Sequence, residues 1–213
     1  MGTIRKGALG GFSGKAGSII GSSWRDISYI KGLPKLSNKP KSEKQLEQQA
    51  RFSMALRFLL PVKDFLNIGF NDLKQGRSTG FNVAIKTLLA KAIIGIYPAL
   101  EIDYPFAEFA RGPLSSPDSV MVTPQAAKLV LTWATDVVFT SGNTDDELIV
   151  LVHEPSSNNY VAGPPNAVRS GGMVEVVMPS DWIGMTVHIY VYFISKKGDR
   201  VSNSKYAGTA IIV

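Results

Sequence analysis

The feature that most constrains the fold is a change of hydrophobic period part-way along the chain. Between residues 42 and 94 apolar residues recur every three or four positions, whereas beyond residue 117 they alternate or run together in short blocks. The first spacing lines one face of a helix and the second one face of a strand. One regular architecture cannot serve both. The chain is therefore expected to divide into a helical stretch and a β-rich stretch, with Arg111-Gly-Pro-Leu-Ser-Ser-Pro117 read as an interdomain linker.

The helical stretch opens on Ser42-Glu-Lys-Gln45, a capping box in which Ser42 and Gln45 satisfy free backbone amides. Leu46, Ala50, Met54 and Phe58 follow at fourfold spacing, widened by Phe52, Ala55 and Leu59. Pro61 suits the first turn of a second helix, with Val62, Phe65, Leu66, Phe70 and Leu73 inward and Gly76 as its stop. A third helix is predicted from about Thr79 to Ile94, burying Phe81, Ala84, Ile85, Leu88, Leu89 and Ala92, and ended by Gly95 and Pro98. Leu100-Glu-Ile-Asp-Tyr-Pro-Phe106 alternates like a strand, with Pro105 favouring an edge, and is expected to pair with the strand-like Trp24–Ile30 segment.

After the linker, Lys128–Trp133, Glu147–His153, Gly172–Val177 and Val187–Ile194 read as strands, punctuated by Ser141-Gly-Asn, Gly163-Pro-Pro and Lys197-Gly-Asp. Short strands at this spacing over about a hundred residues suggest a β-sandwich. Leu129, Leu131 and Trp133 share one side, as do Val187, Ile189, Val191 and Phe193.

The first thirty residues obey neither period. Glycines stand at 7, 10, 14, 17 and 21, with one more at 11. On a helix that spacing makes a glycine-lined stripe open to close approach, yet each glycine costs about 1 kcal/mol relative to alanine. Such a segment is a mobile arm unless something else orders it. The sharper expectation is docking on a neighbouring copy, or strand addition to a neighbour's sheet. The candidate self-association residues are Leu9, Gly10, Phe12, Gly14, Gly17, Ile19, Ile20, Gly21 and Trp24. A basic connector follows, carrying Lys31, Lys35, Lys39 and Lys41 between Gly32, Pro34 and Pro40.

Charge is uneven. Residues 1–112 hold 17 Lys/Arg and 8 Asp/Glu, whereas residues 113–213 hold 6 and 9. A basic half joined to a mildly acidic half fits head-to-tail contact between copies, and fits nucleic-acid binding as well. For the latter the candidates are Arg25, Lys31, Lys35, Lys39 and Lys41, beside Trp24 and Tyr29 as stacking aromatics. A third class, a surface adhesion or glycan-binding module, draws on aromatics such as Tyr160 or Trp182.

Catalytic constellations are poorly matched. The absence of cysteine excludes disulfides, thiolate nucleophiles and thiolate metal sites. Gly14-Lys15 hints at a phosphate loop, but Leu9 stands where its first glycine belongs and Ala16 where its Ser/Thr belongs. A dinucleotide fingerprint fails on spacing. His153 and His188 both fall in predicted strands and read as surface or satisfied interior residues. Asn143-Thr-Asp-Asp-Glu147 gathers oxygen ligands, but without EF-hand spacing it reads as an acidic turn. No nucleophile elbow organises the serines. Neither an enzyme nor a cofactor is expected. No apolar run approaches the roughly 18 residues of a membrane span, and no hydrophobic signal core follows Arg5 and Lys6, so a cytoplasmic location or non-classical release is expected.

Two resemblances bear on this. Leu-Val-Leu-Thr-Trp133, then Tyr190-Val-Tyr-Phe-Ile-Ser195 and Val201-Ser-Asn-Ser204, resemble the early-strand tryptophan and the penultimate tyrosine strand with its hairpin in fibronectin type III and immunoglobulin-like domains. That resemblance implies binding or spacing and not catalysis. Gly10-Gly-Phe-Ser-Gly-Lys15, Gly21-Ser-Ser-Trp24, Glu43-Lys-Gln, Ala50-Arg-Phe and Ile102-Asp-Tyr104 resemble an uncharacterised bacterial domain-of-unknown-function family, which implies a shared architecture and supplies no activity.

The expected fold is thus an α+β N-terminal part, with two to three helices and a few strands, followed by an all-β immunoglobulin/fibronectin III-like sandwich. Its divisions are a glycine-rich and basic arm over 1–41, a helical domain over 42–112 and the sandwich over 113–213. The expected function is non-enzymatic self-association into a homo-oligomer or filament through the arm.

Overall fold

The computed structural model describes residues 3–4, 12–24, 27–35, 40–71, 78–135, 141–165 and 167–213. The protein is mostly β with a small helical part, and its strands form four antiparallel sheets. Two compact units are present, Met1–Ser42 and Glu43–Val213.

The second unit is built around a sandwich. β7 (Met121–Gln125), β8 (Lys128–Thr132) and β11 (Met173–Val177) form a three-stranded sheet in the order β11-β8-β7. β9 (Glu147–Glu154), β10 (Asn159–Ala162), β12 (Thr186–Ile194) and β13 (Lys205–Ile211) form a four-stranded sheet in the order β10-β9-β12-β13. Leu129, Leu131, Trp133, Val187, Ile189, Val191 and Phe193 are all buried in the core shared by these sheets, on the side their alternation predicts.

The other face of the four-stranded sheet is also covered. Leu151, Tyr190 and Tyr192 share a second core with Phe58, Leu59, Leu66, Phe70, Leu88 and Phe109 of the helical stretch. The tyrosines suit a layer boundary, because each buries its ring and sends its hydroxyl to a main-chain acceptor. Tyr190 Oη donates to Tyr104 O at 2.9 Å, and Tyr192 Oη donates to Phe65 O at 3.4 Å. This core crosses the boundary drawn at residues 112/113, so helices and sandwich pack as one unit.

The stretch read as a linker is built into that unit. Arg111 N donates to Gly69 O, Leu114 is buried and bridges Ser202, and a Cβ on Gly112 would stand 2.3 Å from Val201 O. A flexible connector would make none of these contacts.

The helices follow their stripes. α1 (Glu43–Leu59) begins just after Ser42 and buries Ala55, Phe58 and Leu59. A 3-10 turn containing Pro61 leads into α2 (Lys63–Gly69), which buries Leu66; the expected Leu73 and Gly76 lie outside the described residues. α3 (Gly80–Lys91) is capped by Thr79, whose hydroxyl accepts from Asn82 N at 3.2 Å.

α3 stops three residues before the predicted end. Ile93–Ile96 forms β5, paired with β6 (Ala99–Ile102) in a two-stranded sheet. Gly95 explains the difference: its φ is +88°, and a Cβ there would lie 2.3 Å from Ala99 O. The glycine turns a hairpin strand here and does not merely end a helix. Gly95→Ala is expected to destabilise the hairpin by about 1–3 kcal/mol, seen as accelerated amide exchange over residues 93–102. Among the described residues the pairing expected between Trp24–Ile30 and Leu100–Phe106 is not observed. Each segment instead pairs with its own sequence neighbour.

Candidate assembly surface

The N-terminal unit is a meander. Strand β1 (Thr3–Ile4) pairs with β2 (Phe12–Ala16), β2 with β3 (Ile19–Trp24), and β3 with β4 (Ile27–Gly32). Of the spaced glycines, Gly14, Gly17 and Gly21 therefore serve strands and their turn and not a helical stripe, whereas Gly7, Gly10 and Gly11 lie outside the described residues. Gly17, with φ +60°, lies in the β2–β3 turn. Gly21 faces Gly14 across the ladder, and a Cβ on Gly21 would stand 2.0 Å from Phe12 O. The close approach that Gly21 permits is thus to this chain's own Phe12. Leu9, Gly10, Arg25 and Lys39 lie outside the described residues.

Cross-strand register sorts the side chains. Ile20 pairs with Lys31, Ser22 with Tyr29 and Trp24 with Ile27, so these share one face; Ile19, Gly21 and Ile30 share the other. Neither face is covered: Ile19 is 38% exposed, Trp24 49%, Ile27 47%, Tyr29 41% and Ile30 62%. Among the described residues of this unit only Gly21 is buried. A sheet of this size needs a packed hydrophobic face to be stable in water, and this one contains no such core. Residues 1–42 also carry eight Lys/Arg against one Asp, whereas residues 43–213 carry 15 Lys/Arg against 16 Asp/Glu. All of the net positive charge is thus carried by residues 1–42, a sharper division than the halves of the sequence suggest. Lys15, Lys31, Lys35 and Lys41 are exposed.

A second apolar surface escaped the sequence analysis. On the outer face of the β5–β6 hairpin Ile94 pairs with Glu101 and Ile96 with Ala99; all four are exposed, Ile96 by 84%. The signal was present in Gly95 and Pro98, which were assigned to stopping a helix. A groove of about 490 Å³ beside α1 and α3 is lined by Phe52, Ile85, Lys86 and Leu89, and an adjoining one by Lys86, Lys91 and Arg111.

The residues considered for chemistry have structural partners. Asp146 is fully buried, and its Oδ2 accepts from Asn143 N at 2.9 Å and from Arg169 Nη2 at 3.1 Å. The acidic turn is thus organised by a buried ion pair. His153 is buried edge-on to Phe58 and beside Tyr160, with Nε2 3.2 Å from Asn158 Oδ1. Burial pushes His153 down to about 4, the nearby His188 acting the same way against the hydrogen bond to Asn158 and the charge of Glu154, which raise it. His188 stacks on Tyr104 at 3.7 Å, and burial lowers it too. Glu154 is pushed up by burial, but hydrogen bonds from the amides and hydroxyls of Ser156 and Ser157 outweigh this and hold it down to about 2. Among the described residues no group of three or more His, Asp or Glu is placed to hold a metal, and no helix is long and apolar enough to cross a membrane. Trp182 is buried in the sandwich core, and Tyr160 is half-buried with its hydroxyl shielded from solvent, so neither offers a glycan an open ring.

The sequence matches the model of DUF6266, a family of unknown function, over residues 11–208. The chain belongs to this family. The DUF6266 match takes in strands β2 to β12, all three helices and part of β13, so it spans both compact units. It agrees with the resemblance carried by Gly21-Ser-Ser-Trp24, Glu43-Lys-Gln and Ile102-Asp-Tyr104. No curated protein matches the chain.

Proposed function

We propose that this DUF6266 chain is a non-enzymatic structural protein that self-associates into a homo-oligomer or filament through its N-terminal sheet. The observation that carries the proposal is a four-stranded sheet with apolar side chains open on both faces and, among its described residues, no buried side chain. Exposed apolar area of this kind marks an interaction surface. The second unit suits a spacer. Its three-plus-four strand partition, Trp133 just past β8, and Tyr190 and Tyr192 in the penultimate strand before a β12–β13 hairpin support an immunoglobulin/fibronectin III-like reading of the sandwich.

Light scattering tests the proposal. The full chain is expected to gain mass with concentration, and a chain lacking residues 1–42 is expected to stay at monomer mass. A full chain that remains monomeric at high concentration, or a truncated one that assembles unchanged, sinks the proposal.

One observation favours a second reading, nucleic-acid binding: Lys15 and Lys31 share a sheet face with Trp24 and Tyr29. Cations beside part-exposed aromatic side chains suit a single strand's phosphates and bases. Four contacting lysines predict a log–log salt slope of about −3 on single-stranded oligonucleotides. A flat salt dependence rejects this alternative.

A further inference from the structure

Among the described strands, β4 and β6 each have an outer edge with no strand paired to it, and each carries what the other lacks. β4 ends the N-terminal sheet, and every one of its residues is exposed. β6 belongs to a sheet of only two strands, which is marginal by itself in water. The β5 side of that ribbon is occupied: Arg51, ion-paired to Glu47, donates to Ile93 O and Gly95 O at 3.2 Å each. Among the described residues no strand pairs with the free edge of β6. Open edges are templates for another chain unless proline, charge or a bulge blunts them, and β6 has one charge, Glu101.

From these edges we infer that β4 of one copy adds to the free edge of β6 of a second copy, extending the two-stranded ribbon and setting Lys31 near Glu101. This rests on the self-association proposed above and says where it occurs. One face of β4 presents Ile27, Tyr29 and Lys31; the outer face of the ribbon presents Ile94, Ile96, Ala99 and Glu101. Each is apolar with a single charge, and the signs are opposite.

Charge selects this occupant over the alternatives. Symmetric pairing of β4 with β4 brings together two units that each carry eight cations and one acid. The groove beside α1 and α3 has Lys86 as its one charged lining residue, the same sign as the sheet, and Lys91 and Arg111 next to it are already ion-paired to Glu108. Every copy supplies one donor edge and one acceptor edge, so the contact is head-to-tail and builds rings or filaments.

The absence of native cysteine makes the test direct. Full-length Tyr29→Cys and Ala99→Cys variants, one bearing a mass tag, are mixed and treated with a short bismaleimide, since both positions lie on the faces proposed to align and leave Lys31 and Glu101 in place. The mixed product is expected to exceed either like-with-like product about tenfold, because docking raises the local concentration of that pair alone. A dominant product joining two Tyr29→Cys chains overturns the inference in favour of symmetric pairing. Equal products, or none, from a chain that scattering shows assembled overturn the placement while self-association stands; a chain monomeric by scattering removes both. A chain carrying both cysteines that crosslinks internally at high dilution overturns the second copy as occupant. Independently, Glu101→Lys is expected to raise the half-assembly concentration about tenfold, with Lys31→Glu added in the same chain restoring it. Failure of that rescue, with single variants still folded by circular dichroism, also counts against the pairing.

Discussion

Asp146→Ala is expected to destabilise the second unit by roughly 3–5 kcal/mol, the cost of leaving one member of a buried ion pair without its partner. Arg169 is only 6% exposed, and its guanidinium lies 3.8 Å from the centroid of the Phe193 ring while Nη2 reaches Ser115 O and Asp146 Oδ2. Its backbone is equally committed: Arg169 N donates to Asp146 O at 2.7 Å, and Trp133 Nε1 donates to Arg169 O at 2.8 Å. One residue thus holds the acidic turn, the stretch after Gly112 and the tryptophan of the core. Urea unfolding followed by Trp fluorescence measures the loss. The paired replacement Asp146→Leu with Arg169→Met is expected to recover much of it, since no uncompensated charge remains. A single variant that loses less than about 1 kcal/mol contradicts this account of the pair.

Stability is expected to rise by about 3 kcal/mol between pH 4 and pH 6.5, with His153 as the main source. The neutral ring is favoured in the fold, where burial holds His153 down to about 4 against an ordinary value of 6.5. Between those values the unfolded chain binds the additional proton, so stability grows with pH there, is complete above 6.5 and levels off below 4. His188 is also lowered and adds in the same direction. Glu154 acts further down: held at about 2, it contributes stability present above its ordinary value near 4.5 and lost as pH falls toward 2. His153→Gln removes the titration while keeping an amide that reaches Asn158. In urea titrations from pH 4 to 7 this variant is expected to lose most of the slope. An unchanged slope assigns the pH dependence elsewhere.

Much of the architecture was legible in the sequence because it depends on local periodicity. The fourfold stripe from Leu46 to Phe58 places α1, and the alternation from Val187 to Phe193 identifies which side of β12 faces the inter-sheet core. The opposite side of β12 was not legible. His188, Tyr190 and Tyr192 read equally well against solvent or against a second layer, and only Tyr104 stacking on His188, Phe109 packing on Tyr190 and Phe65 O accepting from Tyr192 decide it. The Arg111–Pro117 stretch misled for a related reason: proline, glycine and serine describe a chain without regular structure, not one without contacts.

The candidate surface divides similarly. The glycine spacing showed that the first residues could not order themselves as a helix, and the lysines showed where positive charge concentrates. Strand register, which no local rule fixes in a glycine-rich segment, placed Trp24, Ile27, Tyr29 and Lys31 on one open face. What the sequence by itself determined was the kind of element in each stretch and the exclusion of thiol chemistry, because backbone preference and residue inventory are local. What only tertiary structure decided was which faces became core and which stayed open, because burial depends on residues far apart in the chain. The β5–β6 hairpin shows both: Gly95 and Pro98 mark where the helix cannot continue, and only the fold leaves Ile96 uncovered.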